Sequence, residues 1–100
     1  FFSPNLLNKD KKLKIEKNAF KKCVNLKKLL LPSHLEYLDI GAFKKCSSLE
    51  EMKILSKFVT FGRNAFLDCP LNSVAIYSEI EKKFKRKELG IRKDPAMFVT

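Results

Sequence analysis

The sequence predicts an α/β solenoid, a chain wound into coils that each add one short strand to a parallel sheet and one tight turn or short helix to the opposite side. Three observations predict it. One stretch is spelled three times, as Asn18-Ala19-Phe20-Lys21-Lys22-Cys23, Gly41-Ala42-Phe43-Lys44-Lys45-Cys46 and Asn64-Ala65-Phe66-Leu67-Asp68-Cys69, at a spacing of 23 residues. A fixed period of that size marks stacked coils, none of which can bury its apolar side alone. The residues between the copies fall into columns that are apolar in every copy. Finally, 100 residues that are 45% hydrophobic and 32% charged fit one globular unit.

Residues 1–14 are the least periodic, and they read as an N-terminal cap or a degenerate repeat. Phe1, Phe2, Leu6 and Leu7 can seat on the first full coil, Pro4 and Asn5 mark a turn, and residues 8–12 form a polar loop. Residues 15–77 hold the repeats. Their inward columns are Ile15, Leu38 and Phe61; Ala19, Ala42 and Ala65; Phe20, Phe43 and Phe66; Cys23, Cys46 and Cys69. Leu26, Leu49 and Leu71, then Leu29, Met52 and Val74, then Leu31, Ile54 and Ile76 continue the pattern if the third coil is one residue shorter after Cys69, at Pro70. The closing apolar pair has period 2, which places strands near Lys28 to Leu31, Glu51 to Leu55 and Ser73 to Tyr77.

Asn18, Gly41 and Asn64 are the residue types that best tolerate positive φ, so a left-handed residue is expected once per coil. The following Ala-Phe-x-x-Cys-x-x-Leu puts Phe, Cys and Leu on one face of a short helix or 3₁₀ turn. Phe and Cys are thus a structural ladder, Phe20, Phe43, Phe66 with Cys23, Cys46, Cys69. Leu35 and Phe58 are expected to face inward, and Pro32 follows a strand, where its missing N–H matters least. Residues 78–100 read as a C-terminal cap. Glu79 to Leu89 is an amphipathic helix with Ile80, Phe84 and Leu89 on one side, Gly90 stops it, and Met97-Phe98-Val99 can add a strand.

Lys and Arg number 21 against 11 acids, a net charge of +10. Seven bases face two acids in residues 1–22 and three acids in 78–93, but five acids in 23–77, so the excess sits at the two ends. Such a balance favours anionic partners through long-range steering. The longest apolar run, Leu29-Leu30-Leu31, is far below the roughly 20 residues of a membrane span. No signal peptide is marked at Phe1-Phe2-Ser3-Pro4, and the compartment stays open.

Catalytic chemistry has little support. The three cysteines form no Cys-x-x-Cys pair, so they are read as buried, reduced fillers rather than zinc ligands or a redox pair. His34 is the lone histidine, with no nucleophile or carboxylate at useful spacing, and is read as a loop residue. Glu50 and Glu51 are adjacent on a strand and point opposite ways. No metal, cofactor, small-molecule substrate or enzymatic activity is expected.

From Leu26 to Cys46 the columns read Leu-x-x-Leu-x-Leu-Pro-x-x-Leu-x-x-Leu-x-x-x-Ala-Phe-x-x-Cys, which resembles the leucine-rich repeat of the BspA-like, or Treponema-pallidum-type, family. The resemblance covers about residues 12–77 and departs at Ser56, Lys57 and the shortened third coil. It implies a right-handed leucine-rich-repeat superhelix of about three coils plus caps. The parallel sheet would lie on the concave side, with short helices or turns outside. It also implies a surface or secreted protein engaged in adhesion or protein–protein interaction, without catalytic residues.

In such a coil the strand residues between the inward ones face the concave surface, where a partner would bind: Lys28, Leu30, Pro32; Glu51, Lys53, Leu55; Ser73, Ala75, Tyr77. Pro32, Leu55 and Tyr77 with Leu30 and Ala75 would form an apolar stripe rimmed by charges, the makeup of a recognition patch. The partner expected is another protein, such as a host-cell or matrix protein. The competing reading is a polyanion, a sulfated glycan or nucleic acid. It would be held by Lys21, Lys22, Lys44 and Lys45 on the turns and Lys82, Lys83, Lys85, Arg86 and Lys87 on the terminal helix.

Overall fold

The computed structural model describes residues 12–100. Its strands are β1 (Leu13–Ile15), β2 (Lys28–Leu31), β3 (Leu35–Leu38), β4 (Glu51–Ile54), β5 (Thr60–Phe61), β6 (Ser73–Ile76) and β7 (Ala96–Val99). They form two sheets, β1-β3-β5 and β2-β4-β6-β7, parallel throughout. The expected N-terminal cap lies outside the described residues except for Lys12 to Lys14, of which Leu13 and Lys14 open β1.

The sheet β2-β4-β6 follows the alternation in the sequence. Leu29 and Leu31, Met52 and Ile54, and Val74 and Ile76 are all buried. Lys28 pairs with Glu51 and Glu51 with Ser73, so the second step is one residue shorter, as the columns require. The missing residue is taken from a turn. Leu26 N–H and Leu49 N–H donate to the carbonyls of Cys23 and Cys46, 3.2 and 3.1 Å, whereas residues 69–72 carry no turn and the chain runs directly through Pro70.

The second sheet was not legible from alternation. In β3 both Leu35 and Leu38 are buried, three residues apart, because a bulge between Leu13/Lys14 and their partners shifts the register. The same region corrects one expected column. Leu35 is buried, but Phe58 is 43% exposed and Val59, one place later, fills the interior. Ser56 causes the slip. Its buried hydroxyl donates to Leu35 O at 2.8 Å and accepts from Phe58 N–H at 3.2 Å, a local turn that carries Phe58 outward.

The segments opposite the strand sheet are turns rather than helices. Asn18, Gly41 and Asn64 hold φ of 57°, 64° and 57°, the expected left-handed column. A second left-handed column follows at Lys22, Lys45 and Asp68, with φ of 62°, 62° and 61°. Two such residues per coil break any run of helical bonds. Stacking supplies the bonds instead. Phe20 N–H donates to Ala42 O and Phe43 N–H to Ala65 O, both at 2.8 Å. The phenyl rings stack at 5.1 Å from Phe20 to Phe43 and 5.8 Å from Phe43 to Phe66. Beside them Cys46 Sγ donates to Phe20 O and Cys69 Sγ to Phe43 O, at 3.2 and 3.0 Å. Burial fades at the first coil. Ala19, expected inward, is exposed, and Phe20, Cys23 and Leu26 are only partly buried.

His34 turns out to be buried in the turn between β2 and β3, with neither ring nitrogen hydrogen-bonded. An unpaired buried polar atom costs about 1–3 kcal/mol. His34→Leu is therefore expected to raise the unfolding free energy by about 1 kcal/mol or more. A urea midpoint at or below that of the parent would show that the imidazole is not such a cost.

Residues 78–100 differ from a single helix followed by a cap strand. A 3₁₀ helix spans Ser78–Lys83, and α1 spans Arg86–Leu89. The break at Phe84 and Lys85 has a geometric reason. Ile80 and Leu89 are both buried, and nine residues along an unbroken α-helix are about 2.5 turns, which would put them on opposite faces. Gly90, at φ 80°, ends α1 as expected. The backbone period then outlives the sequence motif, because β7 pairs with β6 at Ser73↔Ala96 and Ile76↔Val99, again 23 residues apart.

Candidate interaction face

The solvent-facing side of β2-β4-β6-β7 collects the alternate strand residues into rows. One row is Lys28, Glu51, Ser73, Ala96, and the next is Leu30, Lys53, Ala75, Phe98. A shallow depression of about 320 Å³ lies across it, lined by Lys28, Leu30, Glu51, Lys53, Ser73 and Ala75 with the edges of Leu29 and Met52. Six of the nine residues expected to face a partner are thus brought together.

The other three are placed differently. Pro32 is buried, because the chain turns into β3 at this point, Leu35 N–H closing the turn on Pro32 O at 3.2 Å. Leu55 and Tyr77 are half-buried, one step past the strands and outside the depression. Tyr77 is covered on its ring face by Lys57 Nζ, 5.0 Å from the centroid. The expected apolar stripe therefore loses Pro32, while Leu55 and Tyr77 keep the same half exposure as Leu30 and Ala75. Phe98, 58% exposed, stands in the row of Leu30, Lys53 and Ala75 and was left out of the face by sequence reasoning. A signal existed, since Phe98 stands 23 residues after Ala75, but no Ala-Phe-x-x-Cys marks that coil.

Charge on the face is unequal. Lys28 Nζ reaches Glu51 Oε2 at 3.6 Å, an exposed pair of small energetic weight. Lys53 is exposed and has no ion pair among the described residues, although it sits between Leu30 and Ala75 in the apolar row. A cation so placed is open to a carboxylate from outside.

The candidate polyanion residues divide into two groups. Lys21, Lys22 and Lys45 are exposed on the turns and Lys44 is half-buried. In the third coil Leu67 and Asp68 replace the lysine pair, and Asp68 Oδ1 takes Arg92 at 3.0 Å, so the basic column spans two coils. Lys82, Lys83, Lys85 and Lys87 are exposed. Arg86 is not free for a ligand. Its Nε lies 2.6 Å from Asp94 Oδ1 and its Nη1 donates to the carbonyls of Ile91 and Arg92 at 3.2 and 2.7 Å, tying residues 91–94 to α1.

Cys46 and Cys69 are buried free thiols and Cys23 is partly buried. Cys69 is pushed well above the ordinary thiol value, by the neighbouring Cys46 thiol and by burial, so it stays protonated and inert. The Cys69 thiol in turn draws Cys46 downward, to about 7, against the opposing effect of burial. Among the described residues no three His, Cys, Asp or Glu side chains gather where they could hold a metal ion, and no helix is long and apolar enough to cross a membrane.

Residues 7–86 match the family model of the BspA type leucine-rich repeat region, six copies. The chain belongs to this family. No curated protein and no solved structure matches it. For a BspA-type leucine-rich repeat, two parallel sheets with few helices are consistent with a solenoid, and membership supports a protein-interaction module. BspA-type repeats are generally non-catalytic and commonly surface-associated.

Proposed function

We propose that this repeat binds another protein through the outward face of β2-β4-β6-β7, as a cell-surface adhesion module without catalytic activity. The winding is right-handed, with about three coils over residues 15–77 closed by caps at 1–14 and 78–100. The observation that carries the reading is the row Leu30, Lys53, Ala75, Phe98, in which an unpaired cation stands among exposed or half-exposed apolar groups. Central contacts of this kind, an anchor beside a charge that needs a partner, supply most of the energy of an interface.

The test is retention of the purified chain on immobilised matrix proteins, heparin and DNA at about 0.15 M and about 0.5 M salt, where exposed charge contacts are heavily screened. Retention on a protein is expected to survive the higher salt. The double variant Leu30→Ala, Lys53→Ala should weaken it by at least about 30-fold, the scale of one hot spot. A second reading, polyanion binding, is favoured by one observation: Lys21, Lys22, Lys45, Lys82, Lys83, Lys85 and Lys87 are exposed without an ion pair among the described residues. Retention on heparin or DNA alone, lost at high salt and after Glu replacement of Lys82, Lys83, Lys85 and Lys87, would select that reading and reject the first.

A further inference from the structure

Lys53 stands in the middle of the face without a counter-charge. It lies on β4 between Leu30 of β2 and Ala75 of β6, exposed and with no ion pair among the described residues. The nearest acid along its strand on this face is Glu51, two residues earlier and so about 6.6 Å away. That carboxylate is held by Lys28 at 3.6 Å. The outward direction of these side chains is set by strand parity, so coils stacked on either side flank them without covering them.

Spacing and charge together select what can lie on the row. Neighbouring strands are about 4.8 Å apart, and successive turns of an α-helix rise about 5.4 Å. A helix laid across β2, β4 and β6 therefore sets its side chains i, i+4 and i+7 over Leu30, Lys53 and Ala75, out of step by only about 1 Å over the two intervals. An extended segment repeats on one face about every 6.7 Å and is out of step by about 4 Å over the same distance. The outward residues of β6, Ser73 and Ala75, are small, and the depression of about 320 Å³ that crosses these three strands leaves room for a helix to approach. Lys53 calls for one carboxylate, while Glu51, its side chain 54% exposed, repels a second anion beside it. A polyanion repeats its charge along its length and brings no apolar surface for Leu30 and Ala75.

We propose, on the reading of this face as the protein-binding surface, that the partner lays an amphipathic helix across β2, β4 and β6, with one Asp or Glu set inside its apolar stripe and seated on Lys53. Leu30 and Ala75 take the apolar residues one turn to either side. Water excluded by those contacts no longer screens the central ion pair, which is worth little when solvated. The net charge of +10 adds long-range attraction for an acidic partner.

The test is fluorescence anisotropy of the full chain with two synthetic peptides of about 18 residues, a length that sustains a helix. One carries Leu, Glu and Leu at i, i+4 and i+7 on a background of Ala and Gln, and the other has Gln in place of the Glu. The Glu peptide is expected to bind at least about 10-fold more tightly, the scale of one charge-assisted contact. Lys53→Gln should abolish that preference, whereas replacement of Lys82, Lys83, Lys85 and Lys87 by Gln should keep it, which separates the site from bulk charge. Moving the Glu to i+2 at unchanged composition should abolish it as well. Equal binding of the Glu and Gln peptides, still lost in Leu30→Ala, would overturn the acidic helix and leave the protein-binding face standing. Binding indifferent to both Leu30 and Lys53 would overturn the two together. A Glu preference that persists in Lys53→Gln, or no binding of either peptide up to about 1 mM, would also reject the helix, with retention on matrix proteins then deciding the face.

Discussion

Phe43→Ala is expected to lower the unfolding free energy by about 4 kcal/mol, within the range for truncating a buried aromatic and enough to remove much of the stability of a 100-residue domain. Phe43 is 1% exposed and its ring is stacked on both sides, by Phe20 and Phe66, with interplanar angles of 7° and 6°. Its removal opens a cavity and breaks two aromatic contacts, each adding about 0.5–1.5 kcal/mol beyond burial. In a melting experiment the shift should exceed about 15 °C. Phe20→Ala is the internal comparison. Phe20 is only partly buried, so its loss should cost about half as much. Equal costs would show that the stack does not tie the coils together.

Gly62→Ala is expected to cost about 3 kcal/mol, the upper end of ordinary overpacking, although Gly62 does not sit at positive φ. The reason is the approach of two coils. A Cβ at position 62 would stand 2.6 Å from the carbonyl carbon of Asp39 and 2.9 Å from Ile40 Cα, and closer still to Ile40 N. All three are backbone atoms that no rotamer change can move, and the adjacent Gly62 N–H to Leu38 O bond, 2.5 Å, holds the coils at that distance. Gly41 offers the contrast. Its added Cβ would meet Asn18 Oδ1 at 2.5 Å, the end of a movable side chain, and its φ of 64° is one that Asn18 and Asn64 already adopt. Gly41→Asn should therefore cost less than about 1 kcal/mol. Urea midpoints of the two variants decide the matter, and a Gly62→Ala protein as stable as Gly41→Asn would contradict the close approach.

What the sequence made legible was whatever obeys a simple period. Leu29 with Leu31, Met52 with Ile54, and Val74 with Ile76 alternate cleanly, and the corresponding strands lie where alternation puts them. The left-handed column at Asn18, Gly41 and Asn64 was readable because those side chains suit it. Its companion at Lys22, Lys45 and Asp68 was not, since lysine is no marker of positive φ and the strain there is imposed by the stack. Phe58 and Val59 were misread because a single buried hydroxyl, on Ser56, shifts the phase by one residue. The face itself was legible at Lys28, Leu30, Glu51, Lys53, Ser73 and Ala75, where strand parity decides direction. It failed at Pro32, where a turn overrides parity, and at Phe98, whose coil keeps the register of the stack without its motif.

The two ladders of strand bonds and the turn bonds between successive Phe positions all run from coil to coil, in the direction of stacking. A load pulling the ends of the stack apart therefore meets these bonds head-on and in sequence, as a zipper does, rather than all at once in shear. Each coil that opens frees 22 or 23 residues, about 80 Å of contour, while the next remains closed. A module held this way between two anchored surfaces would lengthen stepwise under tension and rewind when it falls, a shock absorber built into the repeat.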